Sequence, residues 1–113
     1  MSRLNNFFQM VNGNRLSIIN ATGLSSISLD FINFDVFNVN SIQTGATIDM
    51  STLPVGSTAV IIFNNPGVIS ILYSEAIKWP YGAAPVHGTG WEIMVFTRIS
   101  STVLLGSFTL GHA

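Results

Sequence analysis

The run Val68-Ile69-Ser70-Ile71-Leu72-Tyr73-Ser74-Glu75-Ala76-Ile77-Lys78-Trp79 decides the fold class. Ile69, Ile71, Tyr73, Ile77 and Trp79 share one parity, and Ser70, Ser74 and Lys78 the other. A period of two puts alternate side chains on opposite faces of a strand, and no helical stripe competes with it. Glu75 interrupts the apolar parity. It is expected near a sheet edge, or opposite Arg98 or Lys78.

Upstream, Thr58 to Phe63 reads as a buried strand from its apolar run. Asn64-Asn65-Pro66-Gly67 follows. Pro66 presets φ, and Gly67 accepts the positive φ that the third position of a type II turn requires, so a hairpin is predicted here. A second hairpin is predicted to join Trp91–Ile99 to Thr102–Leu110 through Ser100-Ser101. Between Ser25 and Asn40 the alternation slips phase twice: Ile27, Leu29 and Phe31, then Ile32, Phe34 and Val36, then Phe37 and Val39. One extra residue flips the facing, so each slip predicts a bulge or a bend where the chain passes between two sheets. Arg15–Ile19 and Ala46–Met50 are weaker strand candidates. The expected fold is all-β, about seven or eight short strands in an antiparallel, jelly-roll-like β-sandwich or a small barrel.

The chain has 113 residues, enough for one β domain over residues 1–113. Residues 1–12 are less regular. Phe7, Phe8, Met10 and Val11 are too apolar for a free tail, and read either as a first strand or as an N-terminal arm packed on a neighbouring subunit. Apolar residues make up 48% and charged residues 8%, against about 25% charged in ordinary domains. The net charge of −1 provides no field to attract nucleic acid or an acidic membrane. The mean hydropathy is +0.52, yet the longest clean apolar run is Ala59 to Phe63, far short of a membrane-spanning helix. Asn5, Asn6, Gln9, Asn12 and Asn14 interrupt any leader-like apolar stretch after Arg3. Few charges and little net charge favour association, so a homo-oligomer is expected. There is no cysteine for a disulfide or a thiolate metal site.

Catalytic chemistry finds little footing. The chain lacks a G-x-S-x-G elbow, a phosphate-binding glycine loop and an H-E-x-x-H motif. His87 and His112 lie in glycine-rich context, and neither has a carboxylate close in sequence to orient it. His87 is expected to be an exposed loop histidine, with convergence of three copies on a metal at a threefold axis as the sharper alternative. Asp30 and Asp35 would face opposite sides of a regular strand, and both read as solvated strand residues. The Asn20-Ala21-Thr22 sequon carries no weight without a leader. No enzyme, cofactor, resident metal, nucleic-acid partner or membrane partner is expected.

The most distinctive segment is Ile77-Lys78-Trp79-Pro80-Tyr81-Gly82-Ala83-Ala84-Pro85. Pro80 cannot donate to a ladder, Trp79 before it is held extended, Gly82 opens conformations closed to other residues, and Pro85 stiffens the exit. Lys78, Trp79, Pro80, Tyr81, Gly82 and Pro85, with Trp91 nearby in sequence, are the candidate interaction or structural loop. Trp79 is expected to plug one end of the fold. Tyr81 reads equally as packing or as a contact residue.

Together with Leu53-Pro54-Val55-Gly56-Ser57-Thr58 and Gly90-Trp91-Glu92-Ile93-Met94-Val95-Phe96, this segment resembles a module found near the C-termini of bacteriophage tail-fibre and related appendage proteins. The pattern there is Lys-Trp-Pro-Gly-Gly-x-x-Pro followed by a strand. The resemblance covers about residues 45–111. Tyr81 stands where the first glycine is usual, and Glu92 where aspartate is common. The resemblance implies an all-β fold, a virion location and a homotrimer, and it carries over no catalytic residue. Two roles follow as expectations. One is a capsid decoration (cement) protein bound to the major capsid protein, because one compact domain of this size leaves no room for an anchor and a shaft. The other is a receptor-binding tip or short appendage of the head or tail, contacting a host surface receptor. A small carbohydrate-active enzyme would require Asp30, Asp35 or Asp49 to face one another in a groove.

Overall fold

The computed structural model describes residues 15–112. They form eight strands: β1 (Leu16–Asn20), β2 (Ser26–Ser28), β3 (Val36–Asn40), β4 (Thr47–Asp49), β5 (Thr58–Asn64), β6 (Leu72–Tyr73), β7 (Trp91–Ser100) and β8 (Val103–His112). A single 3₁₀ turn spans Pro80–Gly82. The predicted arm residues Phe7, Phe8 and Met10 lie outside the described residues.

The all-β expectation holds, but the antiparallel sandwich and the barrel do not. Odd-numbered strands β1, β3 and β5 pair in parallel in one sheet, and even-numbered β2, β4 and β6 pair in parallel in the other. The first sheet is completed by β7, antiparallel to β5, and β8, antiparallel to β7, in the order β1-β3-β5-β7-β8. The chain thus winds three times between two sheets, each coil stacking on the last, and an antiparallel hairpin ends the stack. Leu16 sits over Val36 and Val36 over Val60, while Ser26 sits over Thr47 and Thr47 over Leu72. The coil repeat is about 20–25 residues, within the range of stacked β-coil architectures. Alternation sets which face a residue takes; it does not set the direction of its neighbour, and an antiparallel reading fitted the same pattern.

The coil corners account for the mistaken hairpin. Gly67 does take a positive φ, 83°, as its turn position demanded. The turn nevertheless carries the chain out of the first sheet: β5 pairs with β3 and β7, and β6 pairs with β4. The Val68–Trp79 run is accordingly no single long strand. Only Leu72–Tyr73 lies in the second sheet, and Lys78 bridges to Leu105 at the far edge of the first, its N–H donating to Leu104 O at 2.9 Å. Its predicted inward face is nonetheless correct, because Ile69, Ile71, Tyr73, Ile77 and Trp79 all pack on the core. The phase slips between Ser25 and Asn40 mark the passage from β2 in one sheet to β3 in the other. The second predicted hairpin forms, but its turn falls one residue later than read, at Ser101-Thr102, with Ser100 closing β7 and Val103 opening β8.

The two sheets share one core. Phe37, Val39, Ile61, Phe63, Met94, Phe96 and Leu104 come from the first sheet and Ile27 and Ile48 from the second, all essentially fully buried. Corner residues such as Phe31, Ile42, Met50 and Leu53 close its ends.

Candidate functional site

The Trp-Pro segment is placed by β8. Gly106 faces inward, and a Cβ there would lie 2.7 Å from both Ile77 Cγ2 and Trp79 Cζ3. Only glycine lets Trp79 lie flat beneath the strand. Its ring meets Tyr73, Phe96 and Phe108 edge-on, each with centroids 5.8 Å away, except that the Trp79–Phe96 and Trp79–Phe108 planes are slightly closer to perpendicular. Trp79 is therefore packed on the core but only partly buried, beneath β8 at the edge of the first sheet, with its backbone extended at φ −87°, ψ 158°. Beyond it, Gly82 N–H donates to Trp79 O at 2.9 Å and Ala83 N–H to Pro80 O at 3.1 Å. Tyr81 sits at the apex, fully exposed, with a left-handed backbone of φ 55°, ψ 20°. That conformation costs a non-glycine residue about 1 kcal/mol. Lys78 and Pro80 are exposed, and Pro85 is half-buried.

Trp91 does not join this loop. It follows the outward parity of β7, opposite the buried Glu92, and pairs with Asn64 and His112. It belongs to the outer face of the first sheet.

His87 departs from its reading as an exposed loop residue. It is 5% exposed, and its Nδ1 lies 2.6 Å from Glu92 Oε1. Glu92, 1% exposed, also accepts the Gly88 N–H at 2.7 Å on Oε2. The carboxylate that orients the imidazole was five residues away in sequence, and the inward parity of β7 could have identified it. The Phe63 ring packs edge-on against the imidazole. The same loop then fixes the corner after β5, where Asn65 N–H donates to Gly90 O and Gly67 N–H to Gly88 O, both at 2.9 Å. Nearby, the Tyr73 hydroxyl is buried without a hydrogen-bond partner among the described residues, and burial together with the Glu92 charge pushes it far above the ordinary phenol value.

Arg98 is the second buried ionic centre. Its guanidinium donates to both Glu75 oxygens, to Met50 O at 2.9 Å and, through Nε, to Leu53 O at 3.2 Å. The Arg98 hydrogen bonds hold the Glu75 carboxyl below its ordinary value. The interruption of the apolar parity at Glu75 is thus explained by Arg98, one of the two partners expected. The aspartates serve turns: Asp30 accepts from Ile32 N, Asn33 N and Asn33 Nδ2, Asp49 from Ser51, and Asp35 pairs with Arg15 at 3.1 Å. Asp30 and Asp35 occupy the corner between β2 and β3 rather than a strand. Among the described residues no group of three or more His, Asp or Glu side chains could hold a metal.

The outer face of the first sheet is the largest feature that composition alone did not locate. One row across the strands reads Leu16, Val36, Val60, Val95 and Ser107, and the next Ile18, Asn38, Ile62, Ile93 and Thr109. Neither row contains a charged residue, and Ile18 is 68% exposed. Five strands about 4.8 Å apart and five to ten residues long give the whole face roughly 400–800 Å², of which the two rows make up about 300 Å².

No family model, curated protein or solved structure matches the chain. The geometry therefore stands without a family to assign it: a two-sheet stack of three parallel coils, ended by a hairpin, with two uncharged rows on the outer face of the first sheet and an exposed Tyr81 at the tip of the Trp-Pro loop.

Proposed function

We propose that this chain is a bacteriophage virion structural protein that works by assembling with copies of itself, in the role of a capsid decoration (cement) protein. The observation that carries self-assembly is the uncharged double row Leu16–Val95 and Ile18–Ile93 on the outer face of the first sheet. The two rows cover about 300 Å², so an interface of the standard roughly 800 Å² per partner would take in the rest of this uncharged face. A second copy suits it because the rows carry no charge that a polar or ionic partner could pair with, and because so few charges cover the chain as a whole. The virion setting and the trimeric state rest on the resemblance of Ile77–Pro85 to the fibre-associated module. The major capsid protein is then the partner on the particle. The test is to add purified protein to capsids lacking it. Binding with a gain in heat resistance supports the cement role, and no binding removes it.

Tyr81 favours a second reading, a receptor-binding tip or short appendage. A fully exposed aromatic in a left-handed conformation, between Pro80 and Gly82, resembles a rigid contact anchor. In that role the protein binds host cells and blocks infection, and Tyr81→Ala abolishes both.

A further inference from the structure

A cavity of about 300 Å³ lies between the Ile69–Trp79 segment and the Ala84–His87 loop. We infer that it binds a small neutral polyhydroxylated ring, the chemistry of a single uncharged sugar residue. The space is large enough to admit a single ring with its substituents. Ligand sites begin at about this volume.

The lining sets the chemistry. Ile71, Ile77 and the Trp79 ring form apolar walls against which the face of a ring can lie. Ser70 and His87 supply polar edges. The imidazole is already oriented, because Glu92 holds Nδ1 at 2.6 Å and leaves Nε2 for another partner. Such fixed polar groups lose little freedom on binding. Glu75 is the one acidic residue in the lining, and Arg98 occupies both its oxygens. Among the described residues no Lys or Arg lines the cavity. A charged ligand would therefore enter without a counter-charge, and a neutral one is selected. None of the residues in the two apolar rows of the first sheet lines the cavity, so this inference does not depend on the reading of self-assembly.

The experiment uses the full chain with Trp91→Phe, which leaves Trp79 as its only tryptophan. Trp79 emission is titrated with the methyl glycosides of glucose, galactose and N-acetylglucosamine, and with glucosamine and glucuronic acid as charged probes. The expected result is a saturable change with at least one neutral glycoside, with a Kd on the order of 1 mM, the range open to about a dozen heavy atoms. The charged probes are expected to be at least tenfold weaker. Ala84 is exposed at the rim, so Ala84→Phe is expected to fill the cavity and weaken binding at least tenfold with an unchanged circular dichroism spectrum. The inference is overturned by three silent neutral probes, by charged probes that bind as well, or by undiminished binding to a folded Ala84→Phe variant.

Discussion

Arg98 and Glu75 show how single residues hold the coil stack. Arg98 is inward on β7, and its guanidinium ties together the carbonyls of Met50 and Leu53 and the carboxylate of Glu75, three points of the chain that share no strand pairing. Removing one partner leaves a buried charge uncompensated. Glu75→Gln is expected to cost about 2 kcal/mol, less than a fully buried pair because Glu75 is partly exposed. The pH dependence has a definite sign. The folded Glu75 carboxyl is held below its unfolded value, so its contribution is complete above the unfolded carboxylate value of about 4.3 and is lost as pH falls through the folded one. Chemical denaturation between pH 3 and pH 7 is expected to show a shallower acid decline for Glu75→Gln than for the native chain. The remaining slope comes from Asp49 and Asp30, whose carboxyls are lowered by the side chains of Ser51 and Asn33. Tyr81 gives the opposite case, a residue at odds with its local backbone. Tyr81→Gly is expected to leave the thermal midpoint unchanged or slightly raised, since relief of the left-handed φ offsets the added chain entropy of glycine. A fall of several degrees would mean that the ring packs on the body of the protein.

At the scale of elements, the fit between β8 and the Trp79 segment closes one edge of the first sheet. Lys78 bridges to Leu105, and Gly106 gives Trp79 its place. Gly106→Ala pushes a methyl into that ring and is expected to cost about 1–3 kcal/mol, read as a lower urea midpoint together with a changed near-ultraviolet tryptophan signal. The inward parity of Ile69 to Trp79, the β7–β8 hairpin and the positive φ at Gly67 were legible in the sequence, because each depends on local period or local turn chemistry; for Glu75 the sequence offered an edge, Arg98 or Lys78, and only the fold, joining residues 23 apart, selects Arg98. Strand direction was not. Leu16, Val36 and Val60 come together across 20 or more intervening residues, and alternation is silent about which neighbour a strand takes. The signal that could have found it was the spacing of similar short apolar segments at Leu16, Val36 and Val60 and at Ile27 and Ile48. His87 was missed for a related reason. Its partner Glu92 is near in sequence but enters from inside a strand, where parity buries it.

For the whole molecule, the composition indicated too little charge to cover a lone domain, and the fold shows where that deficit lies. The inner faces of both sheets are used by the core, and the outer face of the first sheet, with its two uncharged rows, is the one the proposed assembly would cover. The Leu16–Val95 and Ile18–Ile93 rows cross four strands each, and a substitution there leaves the core untouched. Sedimentation velocity at micromolar concentration, on the native chain and on the double variant Ile18→Lys, Ile62→Lys, tests this directly. The native chain is expected to sediment as a discrete oligomer and the variant as a folded monomer with the same circular dichroism. A native chain that sediments as a monomer, or a variant that assembles as the native chain does, would contradict it.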